Sequence, residues 1–252
     1  MKVSVLNLKH RADRYNRIVK ALTNEGVDYD IHEAVYWKDT RFLDILKDRD
    51  MKIYNKWVTP WSKNRWYNRK VNAGEAAVAM STILMWERLL RDYPDENLFL
   101  CLQDDCVWKE GQLKTIIGLI ETTLTKGKFS GHLPHGADIL YLCGYHVSGY
   151  DYEFKSIDKW YEEPDYVYNA HAIVYSRYAI ERMLAFPYKN HLMSLDEYLM
   201  IQCKTTGRLD VSKDLGIETP MKAIKLKHAE NIFQQVNDED EITSDIDGTP
   251  EV

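Results

Sequence analysis

No Cys-x-x-Cys pair occurs in this 252-residue sequence, whose four cysteines are Cys101, Cys106, Cys143 and Cys203. Three of them sit within or beside apolar, strand-like runs. A zinc site or disulfide framework is therefore not expected, and reduced, buried thiols are. No run approaches the roughly 18 uncharged residues needed to cross a bilayer. The opening MKVSVLNLKH has neither the apolar core nor the small-residue cleavage site of a secretory leader, so a soluble, cytoplasmic protein is expected. Also absent are G-x-x-x-x-G-K-[ST], G-x-G-x-x-G and G-x-S-x-G, which argues against P-loop kinases, dinucleotide enzymes and serine hydrolases. There is no internal repeat and no dividing linker, so one domain is expected over residues 1–236.

What the sequence holds in quantity is apolar and aromatic material. Hydrophobic residues make up 45 %, enough for a substantial core, and 17 Tyr and 7 Trp help bring aromatics to 12 %. Such rings bury an apolar body and keep a polar tip, an arrangement common where sugars or bases bind. The net charge of −6 is unevenly spread. Residues 237–252 hold seven acids and no base, so the remaining 236 residues carry +1. The acidity belongs to a C-terminal tail expected to be flexible. Residues 52–70 (KIYNKWVTPWSKNRWYNRK) run the other way, with six bases, no acid and five aromatic rings.

Hydrophobic periodicity sets out an α/β pattern. Residues 2–8 alternate as a first strand, and Tyr15, Ile18, Val19 and Leu22 mark a helix stopped by Gly26. Val27, Tyr29 and Ile31 alternate again, giving the β-α-β opening of doubly wound folds. Asn72 and Glu75 have capping-box spacing at the head of a helix over 73–91. Residues 98–102 (LFLCL) are apolar on both faces, as a covered central strand requires. A helix carrying Leu113 to Leu124, strands over 138–143 and 167–176, and a helix with Ile180, Met183 and Leu184 follow. Ser194 and Glu197 repeat the capping spacing for a helix to about 206, and a last strand is expected over 223–227.

The sharpest chemical signal is Asp104-Asp105, at the C-terminal end of that covered strand. Ligands of open α/β sheets bind outside the carboxyl ends of the strands. Two adjacent carboxylates there repel unless a cation lies between them, and a hard divalent ion bridging them to a diphosphate resolves the conflict. The competing reading is a pair of solvated loop acids, one capping the next helix.

Five blocks, in order, resemble glycosyltransferase family 25, the family of bacterial lipooligosaccharide and procollagen galactosyltransferases. VLNLKHRADR (5–14) resembles its "-INL-RR-DR", NAGEAAVAMSTILMW (72–86) its "GE-GC--SH--(I/V)W", and LFLCLQDDCVW (98–108) its "-L-LEDDV". NAHAIVYSRYAIERML (169–184) resembles "-THAY--S--GA--LL", and SLDEYLM (194–200) resembles "-VDEFL-". A late ITSDID (242–247) is similar to its "-SDI". Three departures stand out: Gln103 replaces an acid, Thr82 replaces a His, and Ala76 to Ala79 replace an Ile-Gly-Cys core.

The resemblance implies a GT-A-type fold, with a Rossmann-like, mostly parallel sheet flanked by helices. It implies a UDP-sugar donor, Mn²⁺ or Mg²⁺, and transfer to an acceptor hydroxyl with inversion. Inversion needs a base for the acceptor proton. Asp196 is the first choice and Glu197 the second, although both also suit a helix start. Asp104 and Asp105 are the expected metal ligands, with His228 as a third. Asn7, Leu8, Arg11 and Arg14 follow the first strand, where the nucleotide would dock and Arg can grip phosphate. Asp104, Glu75, Ser81 and His171 complete the expected donor and acceptor contacts.

Residues 52–70 leave the acceptor open among a hydroxylated DNA base, a glycan and a protein hydroxyl such as hydroxylysine. Lys and Arg interleaved with Trp and Tyr give phosphate attraction and base stacking, so a polyanion is favoured by a small margin. The plainer reading is a loop whose rings pin it to the core. Two other classes compete with the transferase: a non-catalytic nucleic-acid-binding protein built on residues 52–70, and a phosphoryl or nucleotidyl enzyme using the Asp pair.

Overall fold

Strand β1, Lys2–Asn7, is buried along its whole length because it pairs on both sides, in parallel with β2 (Tyr29–Glu33) and β3 (Leu98–Gln103). Helix α1, Ala12–Glu25, makes the crossover to β2 and stops at Gly26, whose φ of 62° is the left-handed conformation expected of a glycine there. This computed structural model describes residues 1–62, 67–126, 133–144, 154–205, 208–228 and 231–236. The acidic tail lies outside them, as do Lys63, Arg65 and Trp66.

The remaining elements are α2 (Thr40–Asp48), α3 (Ala73–Asp92), β4 (Cys106–Trp108), α4 (Gln112–Lys126), β5 (Ile139–Tyr141), β6 (Lys155–Ser156), β7 (Tyr161–Glu163), β8 (Ala172–Ser176), α5 (Arg177–Ala185), α6 (Leu195–Cys203), α7 (Leu209–Asp214), β9 (Ala223–Leu226) and β10 (Phe233–Gln235). Eight strands form one sheet in the order β2-β1-β3-β8-β5-β9-β7-β6, and β4 with β10 makes a separate two-stranded ribbon. The α/β class is as expected, and the sheet is mixed. Strand β8 runs antiparallel to both β3 and β5. A strand antiparallel to its neighbours begins where they end. Residues just before β8 therefore reach the edge where β1 and β3 finish.

Side chains alternate across the sheet and split the core in two. Phe99 and Cys101 of β3 join Ile173 and Tyr175 of β8 under α3, α5 and α6. Leu98, Leu100 and Leu102 join Val3, Val5, Ala172 and Val174 under α1 and α4. Both faces are covered, which is why residues 98–102 read as an unbroken apolar run. Within the first core Trp86 meets Tyr175 edge-on at 5.3 Å between ring centres, a geometry that adds about 0.5–1.5 kcal/mol to its burial.

The two capping-box spacings have different outcomes. At α3 the Asn72 side chain accepts from the Glu75 amide at 2.7 Å, and Glu75 accepts from the Asn72 amide at 2.9 Å. At α6 the Ser194 side chain caps nothing, and the Glu197 side chain, instead of returning to the helix start, turns to a cluster of tyrosines described below. Helix α6 also stops early, at Cys203, where Lys204 takes a left-handed turn. The expected strand over 167–176 is confined to Ala172–Ser176, since residues 167–171 build a loop at the sheet edge.

Candidate active site

Asp104 and Asp105 leave β3 at the edge where β1 ends, and both are buried. Asp104 is heavily engaged. Its Oδ2 accepts from Asn7 Nδ2 at 2.7 Å and from the Leu8 amide at 3.2 Å, and its Oδ1 from Arg14 Nη1 at 3.4 Å. The same Nη1 lies 3.8 Å from Asp105 Oδ2. Burial, with Asp105 adding to it, pushes the Asp104 carboxyl above its ordinary range, against the pull of Arg14, Asn7 and the Leu8 amide. Asp104 thus locks the end of β1 to the end of β3, while Arg14 supplies countercharge.

Asp105 is less committed. Its Oδ2 accepts from Gln235 Nε2 at 2.8 Å, and its Oδ1 is buried with no hydrogen-bond partner. Gln235 arrives on β10, which pairs antiparallel with β4 directly after the Asp pair, and the Val236 amide bonds the Asp105 carbonyl at 2.9 Å. No periodicity in the three residues of β10 marks Gln235 as part of the site.

Beside this edge lies a cavity of about 150 Å³, lined in part by Glu75, Gln103, His171, Asp196 and Gln235. His171 directly precedes β8, and its carbonyl accepts from the Gln103 amide at 2.9 Å. Its ring is fully buried and neither nitrogen has a hydrogen-bond partner. Burial holds the imidazole below its ordinary pKa, with the Asp105 charge opposing.

Asp196 opens on the same cavity from the first turn of α6. Its Oδ2 accepts from the Asn169 amide at 3.1 Å. Asn169 holds a φ of 76°, a left-handed conformation that Asn tolerates better than most residues. Protein surrounds the Asp196 carboxyl closely, yet it keeps accessible surface on the cavity. That desolvation raises its pKa to about 6, with the Asn169 amide opposing and the Glu75 charge assisting.

Glu197, one residue on, faces away from the cavity and accepts from three phenols. Tyr166 binds Oε1 closely, Tyr168 binds it at 3.2 Å, and Tyr67 reaches Oε2 at 3.3 Å. Burial raises its pKa to about 7 despite these donors. The tyrosines come from two separate loops, and no sequence spacing announces their meeting.

The other expected residues divide. Glu75 lines the cavity and is gripped by Arg69 through two bonds, at 2.8 and 2.7 Å. Arg11 instead holds Asp13 through two bonds, at 3.1 and 2.9 Å, and keeps that carboxyl far below its usual range. Ser81 donates to the Ala77 carbonyl at 2.6 Å and accepts from the Val35 amide at 2.8 Å, tying α3 to the chain after β2. His228 is exposed in the turn after β9. Among the described residues no three or more His, Cys, Asp or Glu side chains group to hold a metal ion, so His228 does not join the Asp pair. For a divalent cation the fit is partial but specific. Asp105 offers an unpartnered carboxylate oxygen, and His171 offers two unpartnered nitrogens at the same edge.

In residues 52–70 the rings go mostly inward. Tyr54, Trp57 and Tyr67 are buried. The Arg208 guanidinium stacks over Trp57 at 4.6 Å and Tyr67 at 5.0 Å, and bonds the Trp57 carbonyl at 2.7 Å. Trp61 is 85 % exposed.

A search of curated proteins finds no match to the chain. Among solved structures it is similar to a glycosyltransferase involved in the glycosylation of the major capsid of PBCV-1, at 10 % identity and a TM-score of 0.45 over 94 % of this chain and 95 % of that one. It is also similar to mouse xyloside xylosyltransferase 1, at 11 % identity and a TM-score of 0.33 over 90 % and 84 %. Both scores are low, and the assignment rests on sequence. The family model for glycosyltransferase family 25 (LPS biosynthesis protein) matches residues 1–198, from β1 through Asp196 and Glu197. The chain belongs to glycosyltransferase family 25, and its chemistry is glycosyl transfer.

Proposed function

We propose that the protein moves a sugar from a nucleotide-diphosphate donor, in first place a UDP-sugar, to an acceptor hydroxyl with inversion, and that Asp196 is the base. The observation that carries this is the shared cavity. Asp196 opens on it from one side, and His171, Gln103 and Gln235 reach it from the edge that holds the Asp pair. The donor diphosphate lies against the Asp pair and Arg14, and the acceptor hydroxyl lies at Asp196. The hydroxyl oxygen attacks the anomeric carbon as its proton passes to the Asp196 carboxylate. The bond from that carbon to the diphosphate oxygen breaks, and the diphosphate leaves with the electron pair. A base with a pKa of about 6 is mostly ionised at neutral pH yet still basic enough to take a proton in flight. The Asn169 amide fixes its orientation.

Asp105, with Asp104 behind it, would hold Mn²⁺ or Mg²⁺. Such an ion supplies Lewis-acid stabilisation of the leaving diphosphate, worth several kcal/mol. For the acceptor, burial of Tyr54, Trp57 and Tyr67 removes most of the stacking surface that favoured a polyanion. A glycan or protein hydroxyl, with Trp61 as its stacking face, is the better fit.

Asp196→Ala should lower kcat by about 10²–10⁴ with donor affinity little changed. A carboxylate serving only the helix start would instead cost about 0.3–1 kcal/mol of stability and spare turnover. Steady-state kinetics and denaturant unfolding on the one variant separate these. A destabilised but fully active Asp196→Ala enzyme removes Asp196 from the mechanism.

A further inference from the structure

His171 is fully buried, lines the cavity, and has no hydrogen-bond partner at either ring nitrogen. A neutral imidazole carries one donor and one acceptor nitrogen, and structures seldom bury both unmet. The same edge holds a second orphan, Asp105 Oδ1. The two are tied together through the backbone. The Gln103 amide donates to the His171 carbonyl at 2.9 Å, and Asp105 follows Gln103 by two residues. Asp105 Oδ2 is already taken by Gln235 Nε2 at 2.8 Å, so Oδ1 is the oxygen left to meet a ligand.

A carboxylate oxygen repels an anion, and a carboxylate oxygen and an imidazole nitrogen left unmet at one sheet edge are both donors for a divalent cation. We propose that His171 and Asp105 are two protein ligands of the divalent cation, with His171 supplying the donor that Gln103, a neutral amide, does not. This rests on the metal-dependent reading above and deepens it. Two protein ligands leave the other coordination positions to substrate oxygens and water, the usual division where a cation works on a phosphate. One nitrogen and one oxygen ligand also suit Mn²⁺ better than the all-oxygen-seeking Ca²⁺. A preference for Mn²⁺ over Ca²⁺ follows.

The test is Mn²⁺ binding to the full chain, followed by the loss of the free-ion EPR signal, in the parent, His171→Gln, His171→Leu and Asp105→Asn. Pulsed EPR on the Mn²⁺-loaded parent reads ¹⁴N coupling from a bound imidazole, and needs no variant to fold. The expected result is ¹⁴N coupling in the parent and its absence in His171→Gln. Both His171 variants should bind Mn²⁺ at least about tenfold more weakly, while the ion-free melting temperature of His171→Leu falls no lower than the parent's, because the unmet buried imidazole has been removed. A parent that binds no divalent cation overturns this proposal together with the metal-dependent reading. A parent that binds Mn²⁺ without ¹⁴N coupling, at an affinity His171→Gln leaves unchanged, overturns the His171 assignment alone. UDP binding that weakens in the His171 variants without metal, with Mn²⁺ affinity intact, also overturns it and places the ring on phosphate.

Discussion

Glu197 and Asp196 are neighbours in sequence with different surroundings: Asp196 is half-buried and Glu197 fully buried. Asp196 keeps an accessible face on the cavity. Glu197 is enclosed by Tyr67, Tyr166 and Tyr168, so it ties together the loops that carry them. Its pKa, raised from 4.5 to about 7, makes the folded protein bind a proton that the unfolded chain releases. The stabilising contribution is therefore complete below about pH 4.5 and lost as pH rises through about 7. The loss from this one group is on the order of 3 kcal/mol, and Asp196, raised to about 6, adds a smaller change of the same sign. Denaturant unfolding from pH 5 to pH 8 should show the parent's stability falling, with a flatter profile for Glu197→Gln. Parallel profiles would mean that Glu197 does not hold its proton in the folded state. Residue identity alone singled out Asp105, because paired acids after an apolar strand need a countercharge, whereas Asp196 was singled out by the family resemblance, since an acid at a helix start is ordinary. Residue identity could not show that Arg11 is spent on Asp13 or Ser81 on Ala77. Those partners are close in sequence but are selected by the backbone geometry around them.

At the level of elements, the long periodic helices and covered strands were legible, and the short pieces were not. Helix α3 and strand β3 follow directly from a capping box and an apolar run. Strands β4 and β10 have three residues each, too few for any period to register, yet together they deliver Gln235 to Asp105. Residues 52–70 were ambiguous for a physical reason, since interleaved bases and rings suit a nucleic-acid face and a pinned loop equally well. Packing favours the loop. Lys56 meets Asp214 at 2.6 Å and Arg69 meets Glu75 at 2.7 Å, while Arg208 clamps two of the rings. With those charges engaged, log K for DNA against log salt should be shallower than about −3, the slope of some three phosphate contacts. Fluorescence anisotropy of labelled single- and double-stranded DNA over a salt series reads this directly. A steeper slope would return the polyanionic acceptor to first place.

For the molecule as a whole, the β1-β3-β8 arrangement sets a timetable. The Asn7–Asp104 bond closes over 97 positions and the Gln235–Asp105 bond over 130, and such long closures are slow to form. On a ribosome adding about 5–20 residues per second, Asn7 waits roughly 5–20 seconds before Asp104 has been made. Until then β1 has only β2 beside it, with its other backbone edge open to any nascent strand nearby. His171 and Asp196 are synthesised later still, and Gln235 later than both. The edge that carries the Asp pair is therefore among the last parts of the protein to be completed, and a chain released before residue 235 carries most of the sheet but leaves Asp105 without the amide that holds it.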